Sequence, residues 1–187
     1  MSHVVVGLDL SLTGTGMARL GPYEEDQVTT LSSKGKTADS LATRRARLAR
    51  IADLISDHIG SGPTYAVAIE TPAHNQTSGH HHDRSGLWWM VMDRLLNPDD
   101  RTRLEPPLVY EVATTQVKKY ATGKGNASKM EVMAAAIKRY PQFDIANDNE
   151  ADAVILAAFL ARALGEPIEE SLPQANLAAL DKFSVSD

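Results

Sequence analysis

Short apolar runs bounded by glycine, proline and polar residues divide this chain into a series of predicted strands and helices. Residues 3–10 are rich in Val and predict a strand, 16–20 predicts its hairpin partner after a Gly- and Thr-containing turn, and 27–31 predicts a third strand of the same meander. Two later apolar runs, 65–70 and 108–112, predict further strands.

The segments between and after these strands have the apolar periodicity of helices. Residues 39–59 and about 85–96 predict two helices in the first half, and about 114–121, 127–139 and 148–163 predict three in the second half. A meander followed by strands that alternate with helices is typical of an α/β layered sheet. We expect one domain over residues 1–163 and a polar C-terminal tail over residues 164–187 that wraps the surface or is partly disordered.

Composition places the chain among soluble globular proteins. The 187 residues are 43% hydrophobic and 23% charged, which suits a single domain with a full core. Neither a membrane-spanning apolar stretch nor a signal-peptide pattern is visible, so we expect a cytoplasmic protein without membrane contact. Cysteine is absent, which excludes disulfides and thiolate chemistry. The net charge of −5 does not indicate nucleic-acid binding, although total charge is a poor test where acids cluster beside basic patches.

Four acidic residues lie in or beside apolar segments, where an ordinary solvent-exposed carboxylate is not expected. Asp9 interrupts the first apolar strand, Glu70 ends the fourth, and Asp148 and Asp152 open an otherwise apolar helix. The last two are four residues apart and therefore share one helix face. Such carboxylates converge when a cation holds them together, and a hard oxygen site favours Mg²⁺ or Mn²⁺ over zinc. Metal-assisted phosphodiester hydrolysis is the chemistry that this pattern predicts.

Each carboxylate also has a purely structural interpretation. Asp9 suits the start of a turn at a strand end, and Glu70 suits the end of a strand before Thr71 and Pro72. Asp148 suits the N-terminus of the last helix, where a carboxylate is favoured in any case. Glu150 lies two residues before Asp152 and is expected to point away from the other acids.

Four motifs, spread over residues 3–163, resemble one family. They are Val6-Gly-Leu-Asp-Leu-Ser11 with Thr13-Gly-Thr-Gly16, then Ile69-Glu70, then Thr114-Thr-Gln-Val-Lys118 followed by Thr122-Gly-Lys-Gly-Asn-Ala-Ser-Lys129, and finally Asn149-Glu-Ala-Asp-Ala153. In this order they resemble the Holliday-junction resolvases of the RuvC kind, within the RNase H-like (retroviral integrase) superfamily, and look most like bacteriophage versions. The resemblance implies an RNase H-like α/β fold with a mixed five-stranded sheet, in which a three-strand antiparallel meander and two parallel strands are flanked by helices.

The resemblance also implies an activity in DNA recombination and repair, within a bacterial or phage-infected host. It implies a structure-selective endonuclease that resolves four-way and other branched DNA by paired symmetric nicks, with two Mg²⁺ ions per site and Mn²⁺ as a substitute. Asp9, Glu70 and Asp152 are the implied metal ligands, with Lys129 as a further catalytic residue. The family carries an acid or His three residues before the last acid, where this chain has Asn149. Either Asp148 takes over, which we favour, or Asn149 serves as a neutral ligand.

Lysines in the third motif give the argument for DNA. Lys118, Lys119, Lys124 and Lys129 flank two glycines whose small size lets backbone approach a phosphate closely. The resemblance implies that Lys118 and Lys129 lie near the scissile strand. The alternative is a helix face of ordinary solvated lysines.

Further candidates are less specific. Arg44 and Arg47 lie near one stripe of the first helix and could follow a DNA backbone, but a solvated face is the favoured interpretation. His74 stands in the loop where the family carries an aromatic residue that stacks on opened bases. Three consecutive histidines at 80–82 favour a mobile loop, or incidental nickel affinity, over a metal site, because three neighbours cannot easily all face one ion.

The segment Trp88–Met92 is apolar around most of a helix, which is typical of a helix that is buried or shared with another subunit. The family dimerises through this helix, so we expect a homodimer, which would match a substrate that needs two symmetric nicks.

Two other functions compete with the nuclease. One is a non-catalytic protein that binds branched DNA, because Asn149 replaces an acid. The other is an actin-like or sugar-kinase-type ATPase, because residues 7–14 resemble that superfamily's first phosphate loop. Such ATPases need two domains and a second phosphate motif, neither of which is visible, so we expect no nucleotide cofactor.

Overall fold

The computed structural model describes residues 1–22, 26–36, 38–60, 64–72, 80–97 and 106–185. Within these residues five strands form one mixed sheet in the order β3-β2-β1-β4-β5. The strands are β1 (Val5–Asp9), β2 (Gly14–Leu20), β3 (Gln27–Ser32), β4 (Ala66–Glu70) and β5 (Leu108–Val112). The pairs β1–β2 and β2–β3 are antiparallel, and β1–β4 and β4–β5 are parallel. The predicted meander with two parallel strands is therefore confirmed.

Helices cover both faces of the sheet. They are α1 (Leu41–Gly60), α2 (His81–Leu96), α3 (Thr114–Thr122), α4 (Lys129–Arg139), α5 (Asp148–Ala163) and the short α6 (Gln174–Leu177). The helices α3, α4 and α5 share one hydrophobic core with one face of the sheet, and α1 and α2 share a second core with the other face. In the part of the chain that the structure describes, no helix is both long and apolar enough to cross a membrane.

Strand alternation decides which residues meet α5. Along β1, Val6 and Leu8 belong to the core with α1 and α2, whereas Val5 belongs to the core with α5. Because successive side chains of a strand point to opposite faces, Gly7 and Asp9 lie on the α5 side with Val5. The carboxylate at the end of β1 is thereby directed toward the N-terminal turns of α5.

The backbone of α5 approaches this face more closely than ordinary side chains would permit. A Cβ atom on Gly7 would lie 2.1 Å from the carbonyl oxygen of Ala153, and one on Gly16 would lie 2.0 Å from the carbonyl oxygen of Asn149. Gly16 pairs with Asp9 across the β1–β2 hairpin. The two glycines therefore form a groove that seats the start of α5 directly beside Asp9.

One segment differs from the sequence expectation. The helix α2 begins at His81 rather than near Ser85, so His81 and His82 form its first turn and the predicted histidine loop is wrong at these positions. The C-terminal segment packs closely: it contains α6, and Asn176 and Ala179 are buried. The domain boundary at residue 163 stays a prediction.

We predict that Gly16→Ala destabilises the protein by several kcal/mol, because the added Cβ would overlap backbone atoms that cannot move independently, and overpacking against yielding side chains already costs about 1–3 kcal/mol. Urea denaturation measures the change. Gly86→Ala is the matched control, since its Cβ would make an ordinary contact of 3.5 Å with Leu48 in the middle of α2, where Ala is the better helix former. Equal stability of Gly16→Ala and wild type would contradict the groove.

Candidate active site

A cleft of about 400 Å³ opens where β1 and β4 end beside α5. Its walls carry three of the four predicted carboxylates, Asp9, Glu70 and Asp152. They also carry three cationic side chains, one histidine and five neutral polar side chains, namely Lys118, Lys129, Arg84, His81, Ser11, Thr71, Ser85, Thr114 and Asn149. Residues more than a hundred positions apart thus line one polar cleft.

Asp9 is the most strongly perturbed acid of the cleft. Burial, followed by the negative charges of Asp152 and Glu70, raises the pKa of Asp9 from its ordinary 3.8 to about 8, and Lys129 opposes this shift. A carboxylate that is both desolvated and surrounded by like charge is costly to ionise. Strongly shifted groups of this kind are concentrated at functional sites.

Asp152 lies in the second turn of α5, and its pKa is also raised, but by less than that of Asp9. Burial and then the charge of Glu70 raise the pKa of Asp152 to about 6, while Lys129 and Lys118 lower it. Glu70 accepts a hydrogen bond of 2.5 Å from the hydroxyl of Thr114, the first residue of α3. This bond fixes the orientation of the Glu70 carboxylate, a role that the sequence analysis did not assign.

Asp148 and Asn149 lie in different environments. Lys129 donates a hydrogen bond of 2.7 Å to Asp148 at the rim, where both side chains are well exposed, and this contact lowers the pKa of Asp148. Asn149 lines the cleft, and Asp148 is not among its lining residues. Asn149 therefore lines the cleft with Asp9 and Asp152 while Asp148 lies at its rim, and which of the two is a metal ligand stays a prediction.

The hydrogen bonds at the start of α5 explain why its acidic residues lie in different environments. The N-cap is Asn147, whose side chain accepts a hydrogen bond of 3.0 Å from the amide of Glu150, so Asp148 is not the capping residue. Glu150 is buried and accepts hydrogen bonds of 2.6 Å from the hydroxyl of Thr30 and 2.7 Å from the amide of Ala146. Glu150 thus turns away from the cleft, as its spacing from Asp152 predicts.

The predicted DNA-binding lysines lie along one edge. Lys118 on α3 and Lys129 at the start of α4 line the cleft, whereas Lys119 and Lys124 lie outside its lining on the same α3–α4 segment. Arg84, in the first turns of α2, adds a cation on the opposite wall. Arg84 was not predicted from the sequence, because its stretch was expected to be a loop before the helix.

Arg44 and Arg47 make contacts within the protein. Arg44 on α1 forms a two-pronged ion pair with Asp83 on α2, with distances of 2.5 and 3.1 Å. Arg47 donates to the hydroxyl of Ser33 at 2.9 Å and to the carbonyl of Leu12, and so ties α1 to the β1–β2 turn and the end of β3. Contact of either arginine with DNA stays a prediction. His74 lies outside the described residues.

The donor set of the cleft suits a hard divalent cation, although the carboxylates stand apart in this structure. Among the described residues no three His, Asp or Glu side chains are grouped closely enough to form a ready-made metal site. The mutual repulsion that raises the pKa of Asp9 and Asp152 gives a physical reason for this spacing. A cation bound between these oxygens would relieve the same repulsion, and carboxylate and amide oxygens are the ligands that Mg²⁺ and Mn²⁺ prefer.

Comparison with known structures identifies the fold. The chain superimposes on Thermus thermophilus RuvC with a TM-score of 0.63 at 19% identity, covering 87% of this chain and 97% of that one. T. thermophilus RuvC in complex with a Holliday junction substrate superimposes with a TM-score of 0.61 at 20% identity, and the match covers 88% of this chain and 97% of that one. The yeast mitochondrial Holliday junction resolvase superimposes with a TM-score of 0.51 at 12% identity, and the match covers 82% of this chain and 75% of that one. No family model and no curated protein sequence matches the chain.

We predict that the metal-free protein loses stability as the pH rises from about 4 to about 8. A carboxyl with a folded pKa above its unfolded value of 3.8 binds its proton more tightly when folded, so its contribution fades as the pH rises toward the folded value. Urea denaturation in EDTA at pH 5 and pH 8 measures this loss. Asp9→Asn removes the strongest contributor and reduces the loss by roughly 1–3 kcal/mol. An equal loss in Asp9→Asn and wild type would contradict the electrostatic account.

Proposed function

The chain has the RuvC-type RNase H-like fold, and from this premise we propose that it is a divalent-metal-dependent endonuclease that resolves four-way DNA junctions by paired nicks. The observation that carries the proposal is the convergence of Asp9, Glu70 and Asp152 with Lys118 and Lys129 in one cleft. Acids that hold a metal and cations that hold a phosphate are the two components that phosphodiester hydrolysis needs.

In this proposal Asp9, Glu70, Asp152 and Asn149 hold two Mg²⁺ ions, or Mn²⁺ in their place. The ions would supply a nucleophilic water near neutral pH and stabilise charge on the phosphate and the departing oxygen. The choice of Asn149 over Asp148 rests on the cleft lining and on the engagement of Asp148 with Lys129. An amide oxygen contributes a neutral ligand, which lowers the negative charge that the ions have to balance.

The protein groups have separate tasks around that centre. Thr114 holds the Glu70 carboxylate in one orientation, so the ligand does not have to be ordered when substrate arrives. Asp148 holds the Lys129 ammonium at the rim, from which it can pair with a phosphate oxygen. Lys118 also lines the cleft, where it lowers the pKa of Asp152 and offers a second cation to the same strand.

Branched DNA is the proposed substrate class for two reasons. The α3–α4 segment adds Lys119 and Lys124 beside the cleft, which extends the cationic edge beyond a single phosphate. The structurally similar T. thermophilus RuvC is known in complex with a Holliday junction substrate. A non-catalytic junction-binding protein is the second candidate, because Asn149 brings no charge to the cleft; cleavage assays separate the two.

We predict Mg²⁺-dependent cleavage of a synthetic four-way junction, with symmetric nicks seen on denaturing gels. Asp9→Asn and Glu70→Gln each lower the cleavage rate by about 10²-fold or more, the scale on which losing one electrostatic stabiliser slows other enzymes. Both retain junction binding in mobility-shift assays. Glu111→Gln is the matched control, because Glu111 is exposed on β5 outside the cleft lining, and it keeps the wild-type rate. Tight binding without cleavage in Mg²⁺ or Mn²⁺ by wild type would favour the non-catalytic candidate.

We also propose a homodimer through α2. Trp89 is 67% exposed and Leu96 is 51% exposed on that helix, whereas Leu87 and Val91 are buried against α1 and the sheet. An exposed tryptophan on a helix with one buried face marks a surface suited to association, where aromatic anchors are enriched. A two-fold pair would present two clefts to one symmetric junction.

Light scattering at micromolar protein and moderate salt is predicted to give twice the chain mass. Trp89→Asp lowers the mass to that of a single chain, because a charge replaces the apolar anchor. Ile137→Asp is the control: Ile137 is also an exposed apolar residue, but it lies on α4, across the sheet from α2, and its substitution leaves the dimer intact. A monomeric wild type would refute the dimer.

A further inference from the structure

The C-terminal segment, residues 164–183, packs against the helices that carry the lysines. Asn176 and Ala179 are almost fully buried. Phe183 stacks edge-on against Phe159 of α5, with ring centroids 4.9 Å apart, and also contacts Tyr110 of β5. The carbonyl of Ala179 accepts a hydrogen bond of 3.2 Å from the side chain of Gln116 on α3. We call residues 164–183 the C-terminal strap.

The strap and α4 together cap the C-terminal end of α3. The carbonyl of Tyr120 accepts hydrogen bonds of 2.8 Å from the Asn176 side chain and 3.0 Å from Arg139, and Arg139 also donates to the carbonyl of Ala121 at 2.7 Å. Carbonyls in the last turn of a helix have no partner within the helix, so these side chains satisfy them and define where α3 ends.

The chain leaves α3 through a glycine that lies against the strap. Gly123 has φ +79°, a left-handed conformation that glycine adopts without strain, and its amide donates to the carbonyl of Lys119 at 2.8 Å. A Cβ atom on Gly123 would lie 3.2 Å from the Cβ of Ala175 and 3.5 Å from the side-chain oxygen of Asn176. The start of the loop that carries Lys124 is therefore in contact with the strap.

A buried ionic network anchors the strap to three helices. The Glu169 side chain is 6% exposed and pairs with Arg162 of α5 at 3.0 Å. Glu169 also accepts hydrogen bonds from the hydroxyls of Tyr120 on α3 and Tyr140 just after α4. Burial is the main cause that raises the pKa of both tyrosines. A buried charge persists where it is paired and hydrogen-bonded, so the network holds the strap in one position.

We propose that the C-terminal strap positions the α3–α4 edge for DNA, with Asn176 as the positioning residue that fixes the end of α3. Lys118, Lys119, Lys124 and Lys129 all lie between the middle of α3 and the start of α4. Fixing that segment sets the spacing at which these cations meet successive phosphates. The proposal rests on the proposed function, and it extends the DNA-binding unit beyond residue 163.

The test uses Asn176→Ala in the full chain with two readouts. Hydrogen exchange of the protein alone is expected to rise several-fold in residues 118–129 and to stay unchanged in α1. The slope of log Kd against log salt for a four-way junction is expected to fall by about 0.9 for each phosphate that the variant no longer neutralises. Ile55→Val is the matched control, since Ile55 is buried in the other core and its truncation loosens α1 without touching the strap. Asn176→Ser, which keeps a polar group at the buried position, replaces Asn176→Ala if that variant does not fold.

Faster exchange in 118–129 together with a smaller salt slope supports the proposal. Unchanged exchange in that segment, or a slope equal to that of Ile55→Val, overturns the strap as a positioning element while the wild-type protein still binds. Failure of wild type to bind any four-way junction instead overturns the proposed function, and the exchange data keep the two outcomes distinct.

Discussion

The structure depends on the direct contact between the backbone of α5 and the strands β1 and β2. Gly7 and Gly16 have no side chains, so the carbonyls of Ala153 and Asn149 can lie where Cβ atoms would otherwise be. Asp9 stands on the same face of β1 as Gly7 and pairs with Gly16 across the hairpin. This one packing contact therefore sets both the position of the helix and the distance from its acids to the acid of the central strand.

That contact brings acidic side chains together in a buried cleft, and neighbouring cations partly offset their repulsion. The pKa of Asp9 rises to about 8 and that of Asp152 to about 6, largely through burial and mutual repulsion. Lys129 opposes both shifts, and the apolar remainder of α5 is buried from Ala153 to Ala161. Ionising buried acids that repel one another is a cost to the fold, and strongly shifted groups of this kind are concentrated at functional sites.

The features that depend on apolar periodicity and strand alternation were predicted from the sequence. The five strands, the last three major helices and the position of Asp9 and Glu70 at strand ends all followed from local patterns. The choice between Asp148 and Asn149 did not, because it depends on the rotation of α5 in the glycine groove. Thr114 was missed because its hydrogen bond to Glu70 joins two elements that are far apart in the sequence, and Arg84 was missed because its stretch was expected to be a loop. The start of α2 at His81 was missed because three histidines carry little helix signal.

Anomalous diffraction from crystals soaked in Mn²⁺ tests the central claim most directly. The account predicts two Mn²⁺ ions in the cleft, bound by Asp9, Glu70 and Asp152 with the side-chain oxygen of Asn149, while Asp148 keeps its contact with Lys129. Crystals that bind Mn²⁺ only at sites away from Asp9, Glu70 and Asp152 would contradict it, and so would a cleft that stays empty at millimolar Mn²⁺.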